Sequence, residues 1–222
     1  MTTTMDRTAL KEFIARRVAR ELKDGDFVNL GIGLPTLVPR FLPADIEVTL
    51  QAEVGTVRAG SAPDTDRDAR YVVDAGGQPA SVRTGGAFID SATSFALIRG
   101  GHVDATVLGA LQADAEGNLA NWIIPGKMVP GMGGAMDLVV GARRVIVAME
   151  HTQRGAAKIL PRCTLPLTAV CCVDLIITEM GVFEVGPDGL LLTELNPEFT
   201  VDELRAATAA PFAVATPLRS MA

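Results

Sequence analysis

The apolar positions near the start of the chain recur at helical spacing and then merge into a short continuous run. The helical set consists of Leu10, Phe13, Ile14, Val18 and Leu22. This spacing predicts a helix that starts near Asp6 or Thr8 and stops at Gly25. The run over residues 27–30 predicts a buried strand, and the glycine turn after it leads into a second helix with Pro35 in its first turn. A strand, a turn and a helix in this order form the βα unit of a parallel sheet.

The same alternation of strands and helices continues to the end of the chain. Further strands are predicted at residues 46–51, 103–108, 144–149 and 175–178. A helix is predicted from Asp90 or Ser91 to Ile98, and residues 200–203 fit a capping box that opens the last helix. Residues 182–185 and 190–192 flank a Gly-Pro-Asp-Gly turn and predict a hairpin.

These elements predict a single α/β domain over residues 1–222. Its sheet is expected to be mixed and largely parallel, covered by helices, with a terminal β-hairpin. Residues 58–70 are rich in Ala, Asp, Gly and Pro without periodicity, so we expect a long loop there. At 222 residues with 48% hydrophobic content, the chain is long enough to bury one full core.

Charge and hydropathy exclude several classes of function. The net charge is −6 and the pI is about 5.0, which argues against nucleic acid as a partner because phosphate binding needs concentrated Lys and Arg. The first residues contain no apolar core of a signal peptide, and no stretch reaches 18 uncharged apolar residues. We therefore expect a cytoplasmic protein that neither crosses nor binds a membrane.

The cysteines and histidines do not predict a metal site. Cys163, Cys171 and Cys172 are odd in number and match no metal or redox spacing. His102 and His151 stand alone. We interpret the three thiols as structural and expect no metal.

Glu53 is the first candidate for chemistry, because it comes directly after an apolar strand. In an open α/β sheet, ligands bind in the crevice beyond the carboxyl ends of the strands. A glutamate at that edge, followed closely by Gly55, is a candidate nucleophile or base. The alternative is a loop carboxylate that is only solvated.

A second candidate is the glycine-rich segment Gly131-Met132-Gly133-Gly134. Consecutive glycines let the backbone approach a ligand and turn its N–H groups toward a developing negative charge. The alternative is a flexible connection without a binding role.

Several separated segments resemble one family, the beta subunit of family I CoA-transferases of the 3-oxoacid type. The matching segments are residues 29–36, 52–55, 100–104, 118–122, 125–139, 149–152, 158–160 and 163–168. The family pattern around the glutamate is Ser-Glu-Asn-Gly, and here it reads Ala52-Glu53-Val54-Gly55. The resemblance extends from about residue 8 to residue 210 and implies a CoA-transferase/NagB-like fold.

The resemblance implies a ping-pong transfer of CoA between two carboxylic acids. Glu53 would attack the acyl-CoA carbonyl, and the CoA thiolate would open the resulting anhydride to leave a glutamyl-CoA thioester. The N–H of Gly134 would stabilise the oxyanion. The glycines that would line the CoA site are Gly31, Gly33, Gly131 and Gly133, and Lys127 could contact the CoA phosphates, although an exposed loop lysine is more often solvated. No cofactor is expected, since CoA thioesters are the substrates.

Three positions depart from the family pattern. Ala52 and Val54 remove polar side chains beside the glutamate, so any orientation of Glu53 must come from elsewhere. Gly77 stands where some relatives have a lysine.

The expected substrates are 3-oxo acids such as acetoacetate, with succinyl-CoA or acetyl-CoA as donor. The family places half of its site on an alpha subunit, so we expect an obligate alpha partner and an α2β2 assembly. Three alternatives stay open: a 3-oxoadipate CoA-transferase subunit, a CoA-thioester hydrolase relative of the same fold, and a non-catalytic ligand-binding module.

Overall fold

The computed structural model describes residues 6–60, 72–74, 77–127 and 131–221. The helices are α1 (Arg7–Ala19), a 3-10 helix (Leu34–Phe41), α2 (Ser91–Arg99), α3 (Ala135–Gly141) and α4 (Val201–Ala207). The first strands are β1 (Phe27–Leu30), β2 (Thr49–Ala52), β3 (Thr56–Gly60), β4 (Ser81–Phe88), β5 (Ala105–Leu108), β6 (Gln112–Asp114) and β7 (Leu119–Ala120). The later strands are β8 (Val145–Ala148), β9 (Thr152–Gln153), β10 (Ala156–Ala157), β11 (Ile159–Leu160), β12 (Leu175–Ile177), β13 (Gly181–Gly186), β14 (Gly189–Leu195) and β15 (Phe212–Ser220).

Within these residues, ten strands form one mixed sheet. Their order is β15-β14-β13-β12-β8-β5-β1-β2-β3-β4. The five central strands, from β12 to β2, are mutually parallel, and antiparallel strands follow on both sides. The carboxyl ends of the central strands therefore meet at one edge of the sheet, where the residues after β1, β2 and β5 come together.

Helices cover both faces of the sheet, so the parallel strands are buried on both sides. α1 and the 3-10 helix pack on one face with Val28, Val107 and Ile146. α2 and α3 pack on the other face with Leu108 and Val147. This burial explains why these strands read as continuous apolar runs rather than as alternating ones.

An ion-pair network connects α1 to strand β14, near one edge of the sheet. Arg17 is 5% exposed; its Nε lies 2.6 Å from Glu194 Oε2 and its Nη1 lies 2.7 Å from Glu21 Oε1. Glu21 and Glu194 also pair with Arg144 and Arg219. The buried arginine thus joins α1 to β14 and, through its partners, to β8 and β15.

The predicted fold class is confirmed, with corrections to several elements. α1 ends at Ala19 rather than at Gly25. Successive N–H groups after it bond three residues back, for example Leu22 N–H to Ala19 O, which keeps Leu22 on the buried face. The second helix is a 3-10 helix, with Pro35 near its start and Pro39 inside it.

The strand that leads to Glu53 begins later than predicted. A turn in which Ile46 N–H donates to Pro43 O bends the chain, so β2 starts only at Thr49. The predicted loop at residues 58–70 is partly wrong, since β3 continues to Gly60; residues 61–70 lie outside the described residues.

The hairpin of β13 and β14 is confirmed, but it is not terminal. α4 follows it with the predicted capping box between Thr200 and Glu203. The chain then returns as β15, which pairs parallel with β14 at the sheet edge. No helix in the described ranges is long and apolar enough to cross a bilayer.

Candidate active site

Glu53 lies in a tight turn at the carboxyl edge of the parallel strands. The turn joins β2 to β3, and Gly55 N–H donates to Ala52 O at 2.9 Å. Glu53 and Val54 are its two central residues. The structure therefore places Glu53 where a parallel strand ends and an antiparallel one begins, and its side chain is half-buried.

Asn29 holds one oxygen of this carboxylate. Its Nδ2 donates to Glu53 Oε2 at 3.2 Å, and Asn29 itself is 1% exposed on the neighbouring strand β1. Glu53 Oε1 accepts no hydrogen bond from any residue in the described ranges. One carboxylate oxygen is thus anchored, and the other has no hydrogen-bond partner among the described residues.

Asn29 opens the family-like segment of residues 29–36, but the sequence does not predict it as a functional residue. The signal that could have found it is a polar residue in the middle of the apolar run that forms β1. A buried amide in a central strand needs hydrogen-bond partners, and those partners lie on β2 beside Glu53.

The glycine-rich segment lies directly against Glu53. A Cβ added at Gly134 would be 3.2 Å from Glu53 Cγ and 3.3 Å from Phe95 Cζ. A Cβ added at Gly133 would be 4.0 Å from Glu53 Oε1. Within the part of the chain that is described, the N–H of Gly134 makes no hydrogen bond. The two residues predicted to be catalytic, Glu53 and Gly134, therefore lie next to each other.

The other predicted binding residues are more widely spread. Gly31 packs at the end of β1, where an added Cβ would be 3.0 Å from Leu108 Cδ2, so strand packing also favours a glycine at this position. Gly33 and Gly131 are exposed, with open space around their Cα atoms. Lys127 is exposed in a turn, and residues 128–130 after it lie outside the described residues.

The two departures beside Glu53 have different environments. Ala52 is 6% exposed, and its methyl group is packed inside the fold. Val54 is 67% exposed. Ile32 and Phe88, on neighbouring segments of the same edge, are similarly exposed. The candidate site is thus bordered by apolar side chains that this chain alone leaves uncovered.

A second group of titratable residues follows β8, separate from Glu53. His151 is fully buried between Thr178 Oγ1 at 3.0 Å and Thr208 Oγ1 at 2.9 Å. Burial, together with the charge of Lys158, lowers the pKa of His151 to about 4. Glu150 points the other way and pairs with Arg7, so the two neighbours do not form an acid/base pair.

The cysteines are free thiols in two environments. Burial raises the pKa values of Cys163 and Cys172 to about 12, as expected for structural thiols. Cys171 is exposed, so its structural interpretation is wrong. Among the described residues, no group of His, Cys, Asp and Glu is arranged to hold a metal ion.

Comparison with known proteins identifies the family. The Coenzyme A transferase family matches residues 11–207. The beta subunit of acetate CoA-transferase from Escherichia coli (strain K12) is 56% identical over 211 residues, which cover 95% of this chain and 96% of that protein. One subunit of a probable succinyl-CoA:3-ketoacid coenzyme A transferase from Bacillus subtilis (strain 168) is 45% identical, with 90% and 94% covered. A human mitochondrial succinyl-CoA:3-ketoacid coenzyme A transferase is 47% identical over 94% of this chain but only 41% of its own length.

Solved structures share the fold. An acyl-CoA transferase (YdiF) of Escherichia coli O157:H7 has a TM-score of 0.77 at 20% identity, over 96% of this chain and 43% of that chain. Glutaconate coenzyme A-transferase of Acidaminococcus fermentans has a TM-score of 0.67 at 17% identity, over 99% and 90%. At these identities the likeness concerns the fold alone. The sequence relatives settle the family: the chain belongs to the Coenzyme A transferases, as a CoA-transferase beta subunit.

Proposed function

We propose that this chain supplies the nucleophile, Glu53, of a CoA-transferase that moves CoA between carboxylic acids through a glutamyl-CoA thioester. The observation that carries the proposal is the state of the Glu53 carboxylate, with Oε2 held by Asn29 and Oε1 free. A carboxylate that is half-buried and anchored at one oxygen is partly desolvated and aimed, which favours nucleophilic attack.

In the first step, Glu53 Oε1 attacks the thioester carbonyl carbon of an acyl-CoA. The negative charge moves to the carbonyl oxygen, and the N–H of Gly134 stabilises it. Loss of one such donor typically costs about 3 kcal/mol of transition-state stabilisation. The C–S bond then breaks, CoA leaves as a thiolate, and a mixed acyl-glutamyl anhydride remains.

In the second step, the CoA thiolate attacks the glutamyl carbonyl carbon of the anhydride. The first acid leaves as a carboxylate, and Glu53 carries CoA as a thioester. The carboxylate of the second acid then reverses both steps and departs as the new acyl-CoA. Each bond to sulfur that breaks is replaced by another, so the cycle needs no redox partner and no net proton transfer.

We propose that an alpha subunit closes this site, with two copies of each chain in the assembly. The relatives of full length are named as subunits, the Escherichia coli one as a beta subunit, which implies a separate alpha chain for them. The exposed apolar side chains of Ile32, Val54 and Phe88 border Glu53, and covering them would exclude water from a hydrolysable anhydride. A second hydrogen-bond donor to the oxyanion, in addition to the N–H of Gly134, would then come from the alpha subunit.

For the substrates, we propose acetyl-CoA and acetate as one pair and acetoacetyl-CoA and acetoacetate as the other. The two acetate CoA-transferase subunits are 56% and 54% identical to this chain, against 45% for the succinyl-CoA:3-ketoacid subunit. Succinyl-CoA and 3-oxoadipate are the competing donor and acid. Turnover with each donor at equal concentration distinguishes these pairs.

We also propose that Lys127 contacts the CoA phosphates and that Gly33, Gly131 and Gly133 line the path of the CoA chain. The support is their exposure in open loops. Replacing Lys127 by Ala is then expected to raise KM for the acyl-CoA and to leave kcat unchanged, because a remote phosphate contact binds ground and transition states equally.

The test of the proposed function is to trap the covalent intermediate in the complex with the alpha subunit. The complex is incubated with acetoacetyl-CoA and then with borohydride, which reduces a glutamyl thioester to an alcohol. The protein is then digested, and the peptide masses are measured by mass spectrometry. We expect one oxygen to be lost and two hydrogens gained at Glu53 alone, and no change in a Glu53→Gln variant. Free CoA that accumulates while Glu53 stays unmodified would instead indicate hydrolysis.

A further inference from the structure

The amide of Asn29 is oriented by three oxygens, two of which belong to Gln51. Asn29 Nδ2 is surrounded by three oxygens: Gln51 O at 3.1 Å, Gln51 Oε1 at 2.8 Å and Glu53 Oε2 at 3.2 Å. The other end of the amide, Oδ1, is buried and has no partner among the described residues. A flipped amide would direct its oxygen at three acceptors, so these oxygens fix which end of Asn29 faces Glu53.

The side chain of Gln51 connects Asn29 to Ser94. Gln51 Nε2 donates to Ser94 Oγ at 2.7 Å, which leaves Gln51 Oε1 to accept from Asn29. Ser94 Oγ in turn donates to Ala52 O at 3.4 Å, so its lone pair is available for Gln51. In this arrangement Ser94 accepts from Gln51, and Gln51 accepts from Asn29, so each side chain bonds to the next.

The three residues that form this relay are almost completely buried. Ser94 is 0% exposed, Asn29 1% and Gln51 3%. Ser94 lies on α2, and the Asp90 side chain caps this helix by accepting from Thr93 N–H at 2.7 Å. Buried amide and hydroxyl groups are costly unless they are paired. The relay is therefore rigid, and its end point is the anchored oxygen of Glu53.

We propose that Ser94 and Gln51 are positioning residues of the transferase reaction, acting on Glu53 only through Asn29. This inference rests on the proposed function, because Glu53 must be the nucleophile for its orientation to matter. The relay supplies from α2 the orientation that Ala52 and Val54 cannot give. Ser94 accepts a hydrogen bond from Gln51, and Gln51 accepts one from Asn29. Asn29 donates to Glu53 Oε2, which leaves Oε1 free.

The test measures the single-turnover rate of thioester formation in the complex with the alpha subunit, by borohydride trapping at Glu53. We expect Ser94→Ala and Gln51→Met each to slow this rate about tenfold, the loss that corresponds to one hydrogen bond. The affinity for acyl-CoA is expected to stay within about twofold, because neither side chain reaches the substrate. Should Gln51→Met fail to assemble, Ser94→Ala removes only a hydroxyl group and carries the test.

Thr106→Val is the matched control. Thr106 is 0% exposed and pairs in register with Asn29 on the adjoining strand, and its hydroxyl has no partner within the described residues. This variant keeps the side-chain shape and removes a buried polar group that bonds to nothing described. We expect its trapping rate to equal that of the wild type.

Double variants separate positioning from general stability. In an Asn29→Ala background the relay has no end point, so Ser94→Ala and Gln51→Met should cause no further loss of rate. Losses that add in full would overturn the proposal, as would wild-type rates in the single variants. If the wild type itself forms no thioester at Glu53, both the proposed function and the relay are rejected. If the wild type forms the thioester and the variants form it at the same rate, only the relay is rejected.

The pH dependence of the rate of thioester formation tests the relay independently. A protonated Glu at position 51 would donate to Ser94 and accept from Asn29 as Gln51 does, whereas an ionised one could not donate. The Gln51→Glu variant is therefore expected to recover rate, relative to wild type, as the pH falls and the new carboxyl becomes protonated. A constant ratio to wild type across pH would contradict the relay.

Discussion

At the scale of single residues, the space beside Glu53 is set by the missing side chain of Gly134. Its φ of −83° and ψ of 7° are open to any residue, so replacement tests crowding rather than backbone strain. We expect Gly134→Ala to push on Glu53 Cγ and Phe95 and to slow thioester formation about tenfold or more, since small displacements of reacting groups are costly. The measurement is the trapping rate in the complex.

Gly186→Ala is the matched control for that prediction. Gly186 lies at the end of β13 in the hairpin, and the nearest atom to an added Cβ is 4.0 Å away. Its rate should equal that of the wild type. A normal rate in Gly134→Ala as well would mean that the loop yields without moving the carboxylate.

The buried imidazole of His151 predicts a loss of stability in mild acid. Its pKa is lowered to about 4 by burial, so between pH 6.5 and pH 4 the unfolded chain binds a proton that the native chain does not. The free energy of unfolding should then fall by up to about 1.4 kcal/mol per pH unit through this window. Urea denaturation of the complex at pH 7 and pH 5 measures the fall.

The His151→Gln variant removes this titration. It should be less stable than the wild type at pH 7, because a buried hydrogen bond to Thr178 or Thr208 is lost. The difference between the two proteins should narrow by about 2 kcal/mol at pH 5. Parallel pH curves for variant and wild type would assign the acid sensitivity to other groups.

Among the site residues, the sequence identifies those that carry a recognisable local pattern. Glu53 follows an apolar strand, and the segment ending at Gly134 is rich in glycine, so both can be predicted without knowledge of the fold. Asn29, Gln51 and Ser94 have no such pattern, since they are single polar residues in a strand or helix. Their role depends on strand register, which brings Asn29 opposite Gln51, and a sequence pattern does not fix register.

At the scale of elements, α1 is held in place by the buried, charged side chain of Arg17. We expect Arg17→Met to lower the free energy of unfolding by about 3–5 kcal/mol, because Glu194 and Glu21 would be left buried with less compensation. Urea denaturation of the complex measures this loss. Arg7→Ala is the control on the same helix; its pair with Glu150 is mostly exposed and should contribute less than about 1 kcal/mol. Equal effects of the two variants would contradict the argument.

The elements with capping or turn signals were predicted well, and the edge strands were missed. α4 and the β13–β14 hairpin carry explicit sequence signals, namely Thr200 with Glu203 and the Gly-Pro-Asp-Gly turn. β4 and β15 lie at the two edges of the sheet and are largely exposed. Edge strands need no apolar alternation and tolerate Gly and Pro, so periodicity carries little information about them.

At the scale of the whole molecule, the edge of the sheet that carries Glu53 is open in this chain. Glu53 is half-buried, and the apolar side chains of Ile32, Val54 and Phe88 beside it are exposed in this chain. We therefore expect the purified beta chain alone to have almost no transferase activity and to gain it when the alpha chain is added. Turnover of acetoacetyl-CoA with acetate, measured against alpha concentration, checks this. Full activity of a verified single chain would reject the obligate partnership.

The overall architecture followed from the order of elements, whereas its edges did not. Buried apolar runs separated by helices favour a parallel sheet covered on both faces, and this prediction is confirmed. Strand order is a property of long-range packing, so the return of β15 beside β14 could not be inferred from local pattern.

The turn that carries Glu53 also determines which residues of its motif can be substituted. Gly55 has a φ of 115°, and a Cβ there would lie 1.9 Å from the carbonyl oxygen of Ile89, so no other residue fits without moving the chain ahead of α2. Ala52 contributes its backbone and needs only a small side chain, and Val54 points outward. Gly55 is therefore fixed and Ala52 must stay small, whereas the side chain of Val54 can change without displacing Glu53.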